Sequence, residues 1–364
     1  MKNNLIFIGN KFLHNTSLQY YIIREVKKHI SEIDSILFYK ENDNSLFLNL
    51  ETQLNDKANL FIATTKQNFS TIGKLLCTVT GDNQVLQGST LIPRKSKKFE
   101  DGSYLIEHKN SFINVFHIDE MQKIPLLFLN ENKATKVQIF QENETTLHAL
   151  LTPLAQTYEI AFEMVTIVEE WIEVIFTQKK HGNLEKFLLA LEKLLPNKLI
   201  QTDNVVSFMI QRLSSLNKKI TFAESCTGGL LTYYFTKENG ASTILDGSLI
   251  TYSNDLKETW IAVEQKALEA FGAVSVEVVR QMSEGALNVS HADFAISISG
   301  IAGDGGGSAE KPVGTVFIGV RNKQNHIEKR FLFKGDRNYV QEQSVLMALK
   351  MVLLLDKKTF FEKI

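Results

Sequence analysis

Residues 221–231 read TFAESCTGGLL, which places Ser225, Cys226 and Thr227 ahead of the glycine pair Gly228 and Gly229 and an apolar run. A strand-like segment precedes this turn and a helix-like one follows it. Amides at a helix start have no partner inside the helix, and they can hold a phosphate or a developing oxyanion. A serine beside such donors could attack a carbonyl carbon. The same residues fit a plainer role, in which Ser225 or Thr227 caps the helix and the glycines make a tight turn. A nucleophilic serine also needs a base. The histidines of residues 205–364 are His291, after a surface helix, and His326, in the polar turn NKQNHIE. Neither stands in a motif, so a Ser-His-Asp arrangement is not supported. The other candidate is Lys257 in TYSNDLK. A lysine works as base when burial or a neighbouring cation lowers its pKa, and a solvated surface lysine does not. Tyr252, placed at a strand end with Lys257 in the next turn, could relay a proton or orient the amine.

Two further segments suit a charged ligand. SGIAGDGGGSAEKPVG, residues 299–314, crowds Gly300, Gly303, Gly305, Gly306 and Gly307 into its first nine residues. It follows the strand-like FAISIS, at the edge where open α/β sheets place ligands. Its amides suit a phosphorylated ligand, and a flexible connector is the competing reading. It matches neither the P-loop nor the dinucleotide fingerprint. In KGDRN, Arg337 opens the last long helix and could fork onto a phosphate. Cys226 has no second cysteine nearby and no histidine pair has ligand spacing, so neither a metal site nor a cofactor is expected.

The elements that must carry these residues alternate regularly. From Val205 the pattern predicts a helix, the strand ITFA, a helix, the strand SLITY, and a helix capped by Ser275 with Val279, Met282, Ala286 and Val289 on its packed face. The strands FAISIS, TVFIGV and EKRFLF and a helix from about Asn338 to Leu355 complete an α/β/α sandwich. Residues 136–204 read as a small α+β subdomain, ending in a polar joint at Gln201 to Asn204. Residues 1–135 read as an α/β domain, with strands at Leu5 to Ile8, Ser35 to Tyr39 and Leu60 to Ala63, a helix over Ser17 to His29, and antiparallel strands after residue 103 that turn near Lys109-Asn110. Of the 20 glycines, 14 lie in residues 220–364, which is where tight functional loops are expected.

Composition narrows the partners. With 40 basic and 41 acidic residues among 364, the chain lacks the basic surplus of a nucleic-acid or anionic-membrane binder. Cys77 and Cys226 are too few for a disulfide framework. The start, MKNNLIFIGN, is too short an apolar run for a signal peptide, and no stretch approaches the ~20 apolar residues of a membrane span. A cytoplasmic protein is expected.

ESCTGG, TYSNDLK, SGIAGDGGGSAEKPVG and GDR, in that order, resemble the C-terminal domain of the CinA family (competence/damage-inducible protein), the PncC-type amidohydrolase. The resemblance runs from about Val205 to Leu355. It implies hydrolysis of nicotinamide mononucleotide to nicotinate mononucleotide and ammonia, in pyridine-nucleotide salvage, with that small-molecule nucleotide as ligand and a homodimer as the assembly. By resemblance Ser225 is the nucleophile, activated by Lys257 and Tyr252. The SCTGG amides (Cys226, Thr227, Gly228, Gly229), Asn254, Ser299, Gly300 and Arg337 are the implied substrate contacts. Ser299 stands where a threonine is usual and Asp304 where a proline is usual. The family's N-terminal half is molybdopterin-binding-like, followed by a KH-like subdomain, and LIFIGNKFLHNTSLQYYIIREV resembles its opening. LFIATTKQNFST, however, stands in place of the family's Gly-Gly-x-Gly-Pro-Thr loop, and no acidic pair follows. Pyrophosphatase chemistry is therefore not expected there, and a scaffold or dimerisation role is. The competing functional reading is a catalytically idle nucleotide-binding or partner-binding protein.

Overall fold

The computed structural model describes residues 2–30, 32–88, 90–118, 123–128, 134–303 and 305–362. It divides into two compact units, Met1–Ala134 and Thr135–Ile364. Residues 136–204 and 205–364 fall together in the second. Among the described residues no helix is long and apolar enough to cross a membrane.

The first unit runs β1 (Asn3–Ile8), α1 (Asn10–His14), α2 (Thr16–Lys27), β2 (Ser35–Tyr39), α3 (Leu46–Asn55), β3 (Asn59–Thr64), α4 (Lys66–Thr80), β4 (Gln84–Gln87), β5 (Thr90–Pro93), β6 (Ser96–Glu100), β7 (Ser103–His108) and β8 (Ser111–His117). The main sheet has the order β2-β1-β3-β8-β7-β6, and β4 pairs with β5 separately. β1 and β3 are buried along their whole length, as parallel strands covered on both faces must be. The β7–β8 hairpin turns through Lys109 and Asn110, both at positive φ, the backbone twist a two-residue hairpin requires. β3 passes into α4 through Thr65 alone. That single-residue joint leaves no room for a glycine-rich loop.

The second unit begins with β9 (Thr135–Phe140), α5 (Glu144–Thr157), β10 (Ile160–Val168), β11 (Trp171–Gln178), α6 (Leu184–Leu194) and β12 (Leu199–Gln201). These strands form an antiparallel sheet of order β10-β11-β9-β12. β12 extends into the expected polar joint, and Asn204 accepts from the amides of Val206 and Ser207 to cap the next helix.

The chain continues with α7 (Val205–Ser215), β13 (Ile220–Glu224), α8 (Leu230–Thr236), β14 (Ser248–Ile250), α9 (Asn254–Ile261), α10 (Gln265–Phe271), α11 (Val276–Ser290), β15 (Phe294–Gly300), β16 (Thr315–Asn322), β17 (His326–Leu332), α12 (Arg337–Leu355) and α13 (Lys357–Phe361). The sheet order is β14-β13-β15-β16-β17, with β14, β13 and β15 parallel and the last two pairings antiparallel. Alternation along the strands divides the core. Phe222, Phe294, Ile296 and Ile298 pack with α7, α8 and α12 on one face. Ala223 and Ala295 pack with α9, α10 and α11 on the other. This is a three-layer α/β/α sandwich, and the multidomain chain is of the α/β class.

Two details differ from the sequence reading. SLITY stops being a strand at Ile250, because β14 pairs with β13 only as far as Glu224. Val289 is 55% exposed although its spacing puts it on the packed face of α11. The apolar cluster packed against that helix reaches Leu287 and does not include Val289.

Candidate active site

β14, β13 and β15 end side by side, and β13 leads directly into the serine. The Ser225 amide donates to the Ile298 carbonyl at 3.0 Å, which adds a rung to the β13–β15 ladder. The side chain stands just beyond the sheet edge and is 9% exposed. The chain then turns sharply, with the Gly228 amide donating to the Ser225 carbonyl at 3.1 Å. Gly228 and Gly229 lie at φ 58° and 100°, which is why glycines fill both places. A Cβ on Gly229 would also come within 3.0 Å of Ile250 Cδ1. Gln341 of α12 holds the turn from the far side, its Nε2 donating to the Cys226 carbonyl at 2.6 Å.

The capping role open to Ser225 or Thr227 is taken by another residue. Neither hydroxyl accepts an amide of α8, and the N-cap position, Gly229, has no side chain to offer. The acceptor is Glu224. Its Oε2 receives the amides of Gly229 (3.0 Å) and Leu231 (3.1 Å), and its Oε1 receives the amide (2.8 Å) and hydroxyl (2.5 Å) of Thr232. This corrects the expectation that the whole SCTGG run offers amides to a substrate. The Gly229 amide serves Glu224, the Gly228 amide closes the turn, and the Ser225 amide belongs to the sheet. The Cys226 and Thr227 amides donate to no acceptor among the described residues, so they are the donors left over. Thr227 Oγ1 is also buried without a partner there. The Cys226 side chain packs into the core, where burial pushes its thiol up to about 12 and keeps it neutral.

Lys257 comes from α9 rather than from a turn. Ser253 caps that helix by accepting the Leu256 amide at 3.2 Å, and this brings Lys257 round to the interior. It is 1% exposed, with Nζ 3.1 Å from Ser225 Oγ. The other neighbours of Nζ are the carbonyls of Thr251 (2.7 Å), Tyr252 (3.3 Å) and Ser253 (3.5 Å). Among the described residues no carboxylate reaches it. Burial pulls its pKa down from 10.5 to about 8. A neutral amine suits this geometry, since its two N–H bonds can go to carbonyls while its lone pair faces the serine hydroxyl.

Tyr252 does not join this pair through its phenol. In the extended segment after β14 successive side chains alternate, so Thr251 is fully buried and Tyr252 is 60% exposed. The Tyr252 hydroxyl accepts from Arg337 Nη2 at 3.0 Å. Its contribution beside Lys257 is its carbonyl.

Arg337, exposed at the first residue of α12, lies over the start of the glycine-rich segment, where a Cβ on Gly303 would come within 3.1 Å of its Nη1. Gly300 ends β15 where β16 is pressed close; a Cβ there would meet the Thr315 carbonyl at 2.9 Å. Ser299 is 1% exposed and its hydroxyl donates to the Ala273 carbonyl at 2.7 Å, so its proton is committed to the fold. Asn254 is exposed at the start of α9 and its side chain has no partner among the described residues. Asp304 lies outside the described residues. Among them, no three His, Cys, Asp or Glu side chains gather closely enough to hold a metal.

The structure thus groups Ser225, Lys257 and the Cys226 and Thr227 amides in one place, with Arg337 and the Tyr252 phenol paired beside Gly303. Sequence reasoning passed over Glu224, Gln341 and the carbonyls around Lys257. The signal for Glu224 was an acid closing an otherwise apolar strand, which must find buried donors. The carbonyls leave no side-chain signal.

The sequence profile of the CinA C-terminal domain matches residues 202–355. A CinA-like protein of Thermotoga neapolitana is 43% identical over 149 residues, 41% of this chain and 36% of that protein. One from Prochlorococcus marinus is 30% identical over 286 residues, 77% of this chain and 61% of its own length. The chain spans about half the length of several curated relatives, 52% for the CinA-like protein of Thermotoga maritima. Among solved structures, the competence/damage inducible protein CihA of Agrobacterium tumefaciens is 35% identical, aligning 43% of this chain with 99% of its own at a TM-score of 0.40. Residues 202–355 thus belong to the CinA C-terminal domain family.

Proposed function

We propose that the Thr135–Ile364 unit is a serine amidohydrolase that converts nicotinamide mononucleotide to nicotinate mononucleotide and ammonia. The observation that carries this reading is the buried Lys257 amine, 3.1 Å from Ser225 Oγ, with carbonyls and no carboxylate around it. An amine held near neutrality can take the serine proton, which a solvated lysine cannot do at neutral pH. Ser225 Oγ attacks the carboxamide carbon as its proton passes to Lys257 Nζ. The Cys226 and Thr227 amides receive the carbonyl oxygen as it gains charge. Lys257 then gives the proton to the leaving nitrogen, the C–N bond breaks, and ammonia departs from an acyl ester on Ser225. Water repeats the sequence through the same amine and releases the acid. Arg337, at the start of α12 beside Gly303, suits the nucleotide phosphate.

The choice of nicotinamide mononucleotide follows from the motif resemblance and family membership, and the dyad supplies the amide chemistry. In Ser225→Ala, ammonia release from nicotinamide mononucleotide is expected to fall by at least about 10³-fold with the circular dichroism spectrum unchanged. Turnover equal to wild type in that variant would overturn the nucleophile. Binding of the nucleotide by wild type without ammonia release would make the protein an idle binder.

A further inference from the structure

Glu224 stands immediately before the proposed nucleophile and has no exposed surface. Four donors converge on its carboxylate, from Gly229, Leu231 and Thr232. The Thr232 hydroxyl is in turn 2.6 Å from Ser248 Oγ on β14, so the network also ties the turn to the neighbouring strand. No lysine or arginine pairs with Glu224 among the described residues. A buried carboxylate without a cation is costly unless its oxygens are fully hydrogen-bonded, and these are. What the arrangement accomplishes is visible at the turn. The residues on both sides of Cys226 and Thr227 are fixed: Ser225 by the sheet, and Gly229, Leu231 and Thr232 by Glu224. Among the described residues, only the two middle amides are left without a partner.

We infer that Glu224 is a positioning residue for acyl transfer, an internal anion that ties up the start of α8 and aims the Cys226 and Thr227 amides at the developing oxyanion. It touches no reacting atom and acts through the turn. This rests on the amidohydrolase reading, and it adds that the placement of the two oxyanion donors depends on a carboxylate.

The test is replacement with chemical rescue. Glu224→Ala leaves a carboxylate-sized gap facing the donors, and Glu224→Gln fills it with a group that turns an N–H toward an N–H. Both are expected to lower kcat for ammonia release roughly 10- to 100-fold, with KM changed by no more than about twofold. Acetate should restore part of the Glu224→Ala rate saturably, and should not help Glu224→Gln or wild type. Acetate should also raise the melting temperature of Glu224→Ala and leave that of wild type unchanged. A wild-type kcat in both variants would overturn the inference. So would a loss in folded Glu224→Ala that acetate does not restore. If Glu224→Ala folds only with acetate present, that supports the role, and a wild-type kcat in Glu224→Gln then refutes it. Should the wild-type chain release no ammonia, the proposed function fails, and the acetate-dependent melting shift still decides whether the turn needs its anion.

Discussion

Lys257 must be neutral to take a proton, and this sets the direction of the pH dependence. Burial holds its pKa near 8, so the competent fraction grows as pH rises through that value. kcat/KM for nicotinamide mononucleotide should rise about tenfold per pH unit below about 8 and level off above it. A rate that stays flat or falls between pH 6.5 and 8, as roughly spaced assays would read it, would exclude Lys257 as base. The same shift affects stability. The unfolded lysine titrates near 10.5, so between about 8 and 10.5 the unfolded chain binds more protons than the folded one. This group therefore opposes folding fully below about pH 8, and its opposition fades as pH rises toward 10.5. Across that window the urea midpoint of wild type should gain on that of Lys257→Met, since the raised thiols of Cys77 and Cys226 act equally on both. Lys257 could be singled out from the chain, since neither His291 nor His326 stands in a motif. The burial that makes the lysine useful could not, because it depends on how α9 packs.

That packing depends on one small residue of the neighbouring helix. A Cβ on Gly285 of α11 would lie 1.8 Å from the Ile261 carbonyl at the end of α9. α9 must therefore move if position 285 gains a side chain, and Lys257 moves with it. Gly285→Ala should destabilise the unit by about 1–3 kcal/mol in urea unfolding. It should also lower kcat by more than the stability loss alone explains, because about 1 Å of misplacement is costly in a dyad. If the variant is destabilised and keeps its full kcat, α9 is not held in place from α11. Gly285 itself gave no hint, since a glycine inside a helical pattern has no periodicity to betray it. Strands and helices were easier to place where hydrophobic period and caps agreed, as at Ser275 and Val279. They were harder where the chain is short of contacts, as at β12, whose three residues take their identity from β9.

At the scale of the whole molecule, the 135–204 segment shares a core with the unit that carries Ser225 and Lys257. Phe140, Val168, Trp171 and Ile200 belong to the same buried cluster as Met209, Leu349 and Leu353. Lys350 of α12, 6% exposed, pairs with Glu170 at 3.1 Å and donates to the Glu169 carbonyl. This explains why α12 is apolar around so much of its circumference. One side meets the five-stranded sheet and another meets the β10–β11 hairpin. The sequence could show that helix but not the second surface it needed, because that surface lies far away in the chain. A 135–364 fragment should melt cooperatively and keep the full-length kcat. A 205–364 fragment should melt lower by more than roughly 5 °C, having lost several buried side chains from one core. Equal melting of the two fragments would show that the shared core contributes little. The surroundings of Lys257 Nζ also bear on how far the chain can drift. Its acceptors at 251–253 are main-chain carbonyls, so no side-chain replacement there removes them. What inheritance must preserve is the path of that loop. The outward side chains of Tyr252 and Asn254 can change without taking an acceptor from Lys257.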